Sequence, residues 1–395
     1  MRLGKGWGRL GMKSDWITIR AADFIEFNPR LSIKKGAIAT KVSMDKLQPF
    51  TKKIPSTEQT AFTGGAKFCN GDTLMARITP CLENGKTAFV DILNDGEIGF
   101  GSTEFIVMRA KKGISDSQFI YYMAINPFFR DIAIKSMVGS SGRQRVQQSV
   151  LNNLELYVPD LEEQKRIGSF LAKFDNKIEL NRRINDNLQQ QAVALYQQMF
   201  IDSAEPDWTD GSLSDIADIT MGQSPSGSSY NEDRIGTVFF QGRAEFGFRF
   251  PTIRLYTTEP KRMACTNDIL MSVRAPVGDL NVAHTDCCIG RGLAAIHSKT
   301  NRQSFMLYTM FSLKKRLDVF NGEGTVFGSI NRSSLNDIHI LIPSNDAIEN
   351  FERIVAPIDA TIRNNYDEIC RLQEIRDSLL PKLMSGEIDV SNIQL

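Results

Sequence analysis

Histidine and tryptophan are scarce in this sequence, with three of each, and no two of its six cysteines form a Cys-x-x-Cys pair. His284, His297 and His339 stand far from any metal-ligand spacing, so no metal centre is expected. Cys69, Cys81, Cys265, Cys287, Cys288 and Cys370 therefore read as reduced structural thiols of a cytoplasmic protein. No stretch approaches the ~18 consecutive apolar residues of a membrane span. Residues 1–16 carry basic side chains but neither an apolar core nor a small-residue cleavage site, so they do not read as a signal peptide. Met12, just before Lys13-Ser14-Asp15-Trp16, is an alternative start that makes residues 1–11 an upstream extension. An excess of either charge is also missing: the net charge is +1, which neither supports nor excludes a nucleic-acid partner. What remains is a chain of 395 residues, 42% hydrophobic and 24% charged, the composition of a globular protein long enough for two domains.

The sequence then repeats itself. Ser149-Val150-Leu151-Asn152-Asn153-Leu154 and the following Leu156-Tyr157-Val158-Pro159 align with Ser333-Ser334-Leu335-Asn336-Asp337-Ile338 and Ile340-Leu341-Ile342-Pro343, an offset of 184 residues. Without a gap the register continues: Asp175 meets Asp359, Ile178 meets Ile362, Asn181 meets Asn365, Leu188 meets Leu372 and Leu195 meets Leu379. Upstream, Asn70-Gly71-Asp72-Thr73-Leu74-Met75 echoes Thr266-Asn267-Asp268-Ile269-Leu270-Met271 at an offset of 196, so loop lengths differ between the copies. The upstream segments read as short strands broken by glycines, among them 105–108 and 293–296, with a few helices. The segments after them are long helices. In the first, Ile167, Phe174, Asn181, Leu188 and Leu195 recur every seven residues; in the second, Phe351, Ile358, Asn365, Leu372 and Leu379 do. Pro357 is expected to bend or reset the start of the second helix. If the helices run antiparallel, Asn181 and Asn365 either approach each other near a pseudo-two-fold axis or face water at the stripe's edge.

The expected fold is therefore mixed α/β (α+β). Two β-rich domains with α-helices are joined by two long antiparallel coiled-coil-like helices in a pseudo-two-fold internal repeat. The domains run 12–158 and 205–342, and the helices 159–204 and 343–390. Ile167, Phe174, Asn181, Leu188, Ile358, Asn365 and Leu372 are the expected helix-pairing residues.

Several of these segments resemble the specificity subunits of type I restriction–modification systems. They are 379–388 (Leu-Leu-Pro-Lys-Leu-Met-Ser-Gly-Glu-Ile), 195–200, 161–167 after Leu156-Tyr157-Val158-Pro159, and the strand signatures 71–77 and 289–296. The likeness covers residues 16–390, with one departure: Glu162-Glu163-Gln164-Lys165 is answered by Asp346-Ala347-Ile348-Glu349. It implies a non-catalytic DNA-binding chain whose two target-recognition domains each read half of a split, asymmetric target. It also implies that the helices set the spacing and bind two modification subunits. Those partners carry S-adenosylmethionine and methylate adenine, and restriction subunits using ATP and Mg join for cleavage. No cofactor is expected in this chain itself. A protein-binding coiled-coil scaffold and the DNA-recognition part of another methylation system are the alternatives.

Three strings imitate catalysis and fail. Asn126-Pro127-Phe128-Phe129 lacks the second proline of an adenine-methyltransferase tetrapeptide and any preceding Gly-rich turn. Asn84-Gly85-Lys86-Thr87 ends like a phosphate loop, but Pro80 stands where the first glycine is needed. Pro159-Asp160 with Glu163-Gln164-Lys165 imitates a nuclease signature, yet Asp160 and Glu163 fit a helix cap and capping box.

For DNA contact, the loop 139–145 offers glycines, Arg143 and Arg145 to phosphates, a solvated loop being the alternative; its counterpart 323–329 keeps glycines without arginines. Gln241 and Arg243, after the apolar strand 238–240, are suited to bidentate base contact, and Ser43 with Met44 is the equivalent place in the first domain. Arg77, Arg274 and Arg291 complete the candidates.

Overall fold

The structure, a computed structural model, describes residues 15–140, 142–205, 208–322 and 328–390. The alternative start at Met12 and residues 323–327 lie outside the described residues. The chain divides into two compact units: Met1–Arg182 with Tyr366–Leu395, and Arg183–Asn365. The division falls inside both long helices, so each unit owns one stretch of each.

Unit 1 begins with β1 (Ile17–Arg20), α1 (Ala21–Phe24), β2 (Ile25–Phe27), β3 (Ile38–Val42), β4 (Glu58–Ala61) and β5 (Ala66–Phe68). Then come β6 (Thr73–Ala76), β7 (Thr87–Phe89), β8 (Gly99–Gly101), β9 (Phe105–Ala110), α2 (Ser117–Ile125), α3 (Pro127–Lys135), α4 (Gln148–Asn152), β10 (Glu155–Val158) and the start of α5 (Leu161–Tyr196). One sheet is ordered β2-β9-β6-β7 and a second β4-β3-β8-β5, while β1 and β10 form a ribbon. The first sheet reads as unbroken apolar runs because both of its faces are buried. Along β9, Ile106 and Met108 enter the core shared with α2 and α5, whereas Phe105 and Val107 enter the core under the second sheet.

Unit 2 repeats the plan with β11 (Thr209–Ser212), α6 (Leu213–Ile216), β12 (Ala217–Met221), β13 (Tyr230–Asn231), β14 (Thr237–Phe240), β15 (Leu255–Thr257) and β16 (Met263–Ala264). It continues through β17 (Ile269–Ser272), β18 (Leu280–Val282), β19 (Cys287–Ile289), β20 (Leu293–Ser298), α7 (Gln303–Ser312), α8 (Lys314–Leu317), α9 (Arg332–Asn336), β21 (His339–Ile342) and the start of α10 (Asn345–Met384). Its sheets are β12-β20-β17-β18, β13-β15-β14-β19-β16 and the ribbon β11-β21. Strand for strand this is unit 1 again, with β13 added at an edge. Even the parallel pair recurs, β3 beside β8 and β14 beside β19.

Two expectations about the helices need correction. The line of deepest burial is Leu171, Ile178, Asn185 and Ala192 on α5, and Val355, Ile362, Ile369 and Arg376 on α10. Of the residues expected to pair, Ile167 and Asn181 are buried, but Phe174, Leu188, Ile358, Asn365 and Leu372 are only half-buried. The reason is that each helix packs on two neighbours. In unit 1, α5 shares one core with α2 and with Leu380 and Leu383 of α10, so its stripe centres between those two faces. Nor does Pro357 reset the second helix, which begins well before it at Asn345. Pro357 is exposed, so the backbone carbonyl it leaves without a donor lies on the watery side.

Within each unit the two helices run antiparallel. In unit 1, Asp175 pairs with Arg376, and Asn181 Nδ2 donates to Glu368 Oε2 at 2.7 Å. In unit 2, Asn185 Nδ2 reaches the Ile362 carbonyl at 3.2 Å, and Asn365 Nδ2 donates to Asn185 Oδ1 at 2.8 Å. Asn181 and Asn365 thus take Glu368 and Asn185 as partners, rather than facing water. No helix among the described residues is long and apolar enough to cross a membrane.

Candidate nucleic-acid interface

In unit 1 the ends of β3 and β6 meet the turn between β8 and β9 and the loop before α4. Val42 pairs in parallel with Gly101, where a β-carbon would lie 2.3 Å from the Val42 carbonyl oxygen. That close approach sets Ser43 and Met44 beside the turn. Arg77 N donates to the Glu104 carbonyl at 2.9 Å, and Val146 N to the Arg77 carbonyl at 2.8 Å. Val138 and Arg145 exchange backbone hydrogen bonds at 2.9 and 3.0 Å, closing the loop that carries Arg143.

Unit 2 builds the same junction. Gly290 N donates to the Phe240 carbonyl at 2.8 Å and Gly292 N to the Gln241 carbonyl at 3.2 Å. A β-carbon at Gly290 would stand 2.9 Å from Gln241 Cα. Val273 N donates to the Gly292 carbonyl and Ile330 N to the Val273 carbonyl, at 2.9 and 3.0 Å. Arg274 and Arg291 both line a cleft of about 340 Å³ here. The structure therefore brings together Ser43, Met44, Arg77, Arg143 and Arg145 in one unit, and Gln241, Arg243, Arg274 and Arg291 in the other.

The charges of these candidates are not equally free. Arg145 forks onto Glu104, with Nη2 2.7 Å from Oε1, and Arg77 Nε lies 3.7 Å from Oε2 of the same carboxylate. The hydrogen bond from Arg145 holds the Glu104 carboxyl below its ordinary pKa. Arg243 is likewise paired, with Asp279, which Lys314 also approaches at 3.1 Å. The candidates Arg145, Arg77 and Arg243 are thus members of ion pairs. Arg143, Arg274 and Arg291 are exposed and make no ion pair among the described residues. Gly292 stands where unit 1 has Glu104, so among the described residues Arg274 and Arg291 have no counterpart of that carboxylate beside them, and Asp279 is taken by Arg243 and Lys314. Sequence reasoning missed Glu104 and Asp279, because nothing in their spacing ties them to arginines so far along the chain.

The catalytic imitations fold as ordinary structure. Asn126 joins α2 to α3, its Oδ1 accepting from Phe128 N at 2.9 Å. Lys86 donates to the Met44 carbonyl at 2.9 Å, and Asp160 caps α5 by accepting from Glu163 N at 2.8 Å. Among the described residues no cluster of His, Cys, Asp or Glu is placed to hold a metal ion. Cys287 is buried in unit 2, and burial pushes its thiol up to about 12.

Comparison with known proteins gives a consistent picture. The profile of the type I restriction modification DNA specificity domain matches twice, over residues 13–190 and 205–372. The MjaX type I restriction enzyme specificity subunit of Methanocaldococcus jannaschii is 30% identical over 343 residues, covering 81% of this chain and 79% of its own length. The HindI specificity subunit of Haemophilus influenzae is 25% identical over 404 residues, covering 80% of this chain and 86% of its own. The crystal structure of the type I restriction–modification S subunit from M. genitalium shares the fold at a TM-score of 0.54 and 16% identity. It covers 97% of this chain and 98% of its own.

Proposed function

We propose that this chain, which belongs to the type I restriction–modification specificity family, reads a DNA target in two different halves, one with each unit. The observation that carries the reading is the repeated junction itself. One backbone arrangement recurs at the ends of β3 and β6 and of β14 and β17, while the exposed side chains on it differ. Conserved geometry with divergent side chains is what a split, asymmetric target requires. The chain does no chemistry of its own in this reading. It acts in the cytoplasm, where the long helices seat two modification subunits that use S-adenosylmethionine, and restriction subunits that use ATP and Mg join them.

The test is to map methylated adenines with and without this gene, and again after residues 12–158 are replaced by the matching domain of a relative. One half of the target should change and the other stay. Both halves changing together would defeat the two-part reading, and purified chain that ignores duplex DNA would favour a protein-only scaffold. Ion pairing sharpens the contact prediction. Arg143→Ala, and Arg274→Ala with Arg291→Ala, should each flatten the salt dependence of binding by about one unit of slope per arginine. Arg145→Ala should leave the slope nearly unchanged because Glu104 already neutralises that charge. A larger drop from Arg145→Ala than from Arg143→Ala would reverse the assignment.

A further inference from the structure

Each unit contains a second repeated device, buried where its recognition domain meets its stretch of long helix. In unit 1, Asp175 of α5 accepts from Tyr122 Oη of α2 at 2.5 Å and pairs with Arg376. Lys52 Nζ donates to Tyr122 Oη at 3.1 Å and to Gln118, and lies 4.8 Å from the centre of the Tyr122 ring. In unit 2, Asp359 of α10 accepts from Tyr308 Oη of α7 at 2.9 Å and from Arg249 Nη1 at 2.9 Å. Arg249 Nη2 adds bonds to Tyr308 Oη at 3.1 Å and to Gln189 at 3.0 Å.

Lys52 and Arg249 are counterparts in the fold. The Lys52 carbonyl accepts from Phe89 N of β7 at 2.9 Å, and the Arg249 carbonyl from Val282 N of β18 at 2.8 Å. Asp175 and Asp359 are counterparts in the sequence, at the helix offset of 184. Both basic residues end a segment whose other end is the candidate reading loop, 43–52 in unit 1 and 241–249 in unit 2, with no strand between. Burying a cation in this way is costly without compensation. Burial brings the Lys52 ammonium down to about 8, against the pull of Asp175.

We propose that Lys52 and Arg249 are positioning residues. Each ties the loop carrying its unit's base-reading candidates to an aspartate on the long helix, Arg249 directly and Lys52 through the Tyr122 hydroxyl, and so fixes the orientation in which that half of the target is read. The proposal rests on the two-part reading above. Unit 2 depends on it more heavily, because among the described residues Asp359 makes its ion pair with Arg249, whereas Asp175 makes its ion pair with Arg376 and meets Lys52 through the Tyr122 hydroxyl.

The experiment uses the full subunit assembled with its modification subunits and S-adenosylmethionine. Duplexes that change one base at a time across both halves are methylated, and the readout is the ratio of cognate to changed rates. That ratio does not depend on the fraction of protein folded. Arg249→Met should lower the ratios at the half read by unit 2 by about 10- to 100-fold, the scale of a misplacement of about 1 Å. The other half should keep wild-type ratios. Arg249→Lys should restore much of the preference, and Lys52→Met should lower ratios at the other half by less. Tyr308→Phe removes only a hydroxyl, so it decides the matter if Arg249→Met does not fold. Variants that melt at lower temperature yet keep wild-type ratios at both halves would overturn the proposal, as would equal loss at both halves. A wild-type complex with no two-part preference would instead overturn the underlying reading, before any variant is measured.

Discussion

Units 1 and 2 share one chain trace, yet they pack differently against their stretches of long helix. In unit 1, Phe89 of β7 and Tyr121 and Gln118 of α2 fill the space beside Lys52 and Asp175. The same places in unit 2 hold Val282, Leu307 and Ser304, and there a cavity of about 270 Å³ opens beside Arg249, Glu352 and Asp359. The helix side compensates in the opposite direction. Gly168 of α5 lets α2 come close, since a β-carbon there would stand 2.9 Å from Gln118 Cβ. Its counterpart Glu352 reaches across and accepts from Ser304 N and Phe305 N at 3.2 and 2.9 Å. Helix α7, whose own Arg302 supplies no side-chain cap, is thus capped by the long helix, while α2 is capped locally by Asp116. A duplicated fold keeps strand order and helix register and trades volume and polar partners between neighbouring elements. One copy keeps a space of about 10 Å³ beside Lys52 and Asp175, and the other opens about 270 Å³ beside Arg249 and Asp359.

The largest effect that should separate the copies lies in the two aspartates. Asp175→Ala takes from the buried Arg376 the more deeply buried of its two carboxylates and leaves it Asp377, 2.8 Å from Nη2. Burial works against that charge, and Asp175, with the more exposed Asp377 behind it, holds the guanidinium pKa above its ordinary value. Removing one member of a buried pair commonly costs about 3–5 kcal/mol. Asp359→Ala leaves Arg249 with Gln189, Tyr308 and a cavity that admits water, so a loss of about 2 kcal/mol is expected. Urea unfolding of the full chain, with hydrogen exchange to assign each transition to a unit, measures both. Equal losses would mean that the cavity does not soften the second joint.

These joints also mark where the sequence stops being readable. The repeat, the long helices and their register were legible, because heptads and a gapless offset survive in both copies. Asp175 and Asp359 were visibly aligned, but their role was hidden. Arg249, which pairs with Asp359, and Lys52, which reaches Asp175 through Tyr122, sit in loops of different length and share no neighbouring residues. The helix seam was misplaced for a related reason: a heptad shows which residues are apolar, not that a second neighbour shifts the stripe. At the junction, strand ends and glycines marked the loops that the fold brings together within each unit. Which arginines keep a free charge depended on Glu104 and Asp279, and folding alone brings those carboxylates to them.

A smaller effect comes from exchanging the filling residues. Phe89→Val should open in unit 1 the space that unit 2 already has, at a cost of about 2 kcal/mol. Val282→Phe should fill part of the unit 2 cavity and gain about 1 kcal/mol, while its backbone bond to the Arg249 carbonyl is kept. Calorimetric melting of both variants checks the pair. A Val282→Phe protein that melts lower than wild type would show that the cavity is shaped by contacts a larger ring cannot join.

The smallest expected difference concerns an ion pair that both copies make with different bases. Asp72 and Asp268 are counterparts, each accepting a backbone N–H, from Cys69 and Cys265, at 2.7 Å. In unit 1 the carboxylate is forked by Arg109, with both bonds at 2.7 Å, and arginine keeps its charge at any working pH. In unit 2 the partner is His297, whose Nδ1 lies 2.6 Å from Asp268 Oδ1. That hydrogen bond raises the imidazole pKa above its ordinary 6.5. The sign follows from linkage: a raised folded value contributes stability that is complete below about pH 6.5 and is lost as pH climbs through the folded value. The His297 side chain is 44% exposed, so solvent screening keeps the contribution under about 1 kcal/mol. Urea midpoints from pH 5.5 to 8.5 should therefore fall for wild type relative to His297→Arg, which carries a permanent charge on the unit 1 pattern. Parallel midpoints across that range would show that Asp268 is satisfied by its backbone donor alone and that the two copies do not differ in their response to pH here.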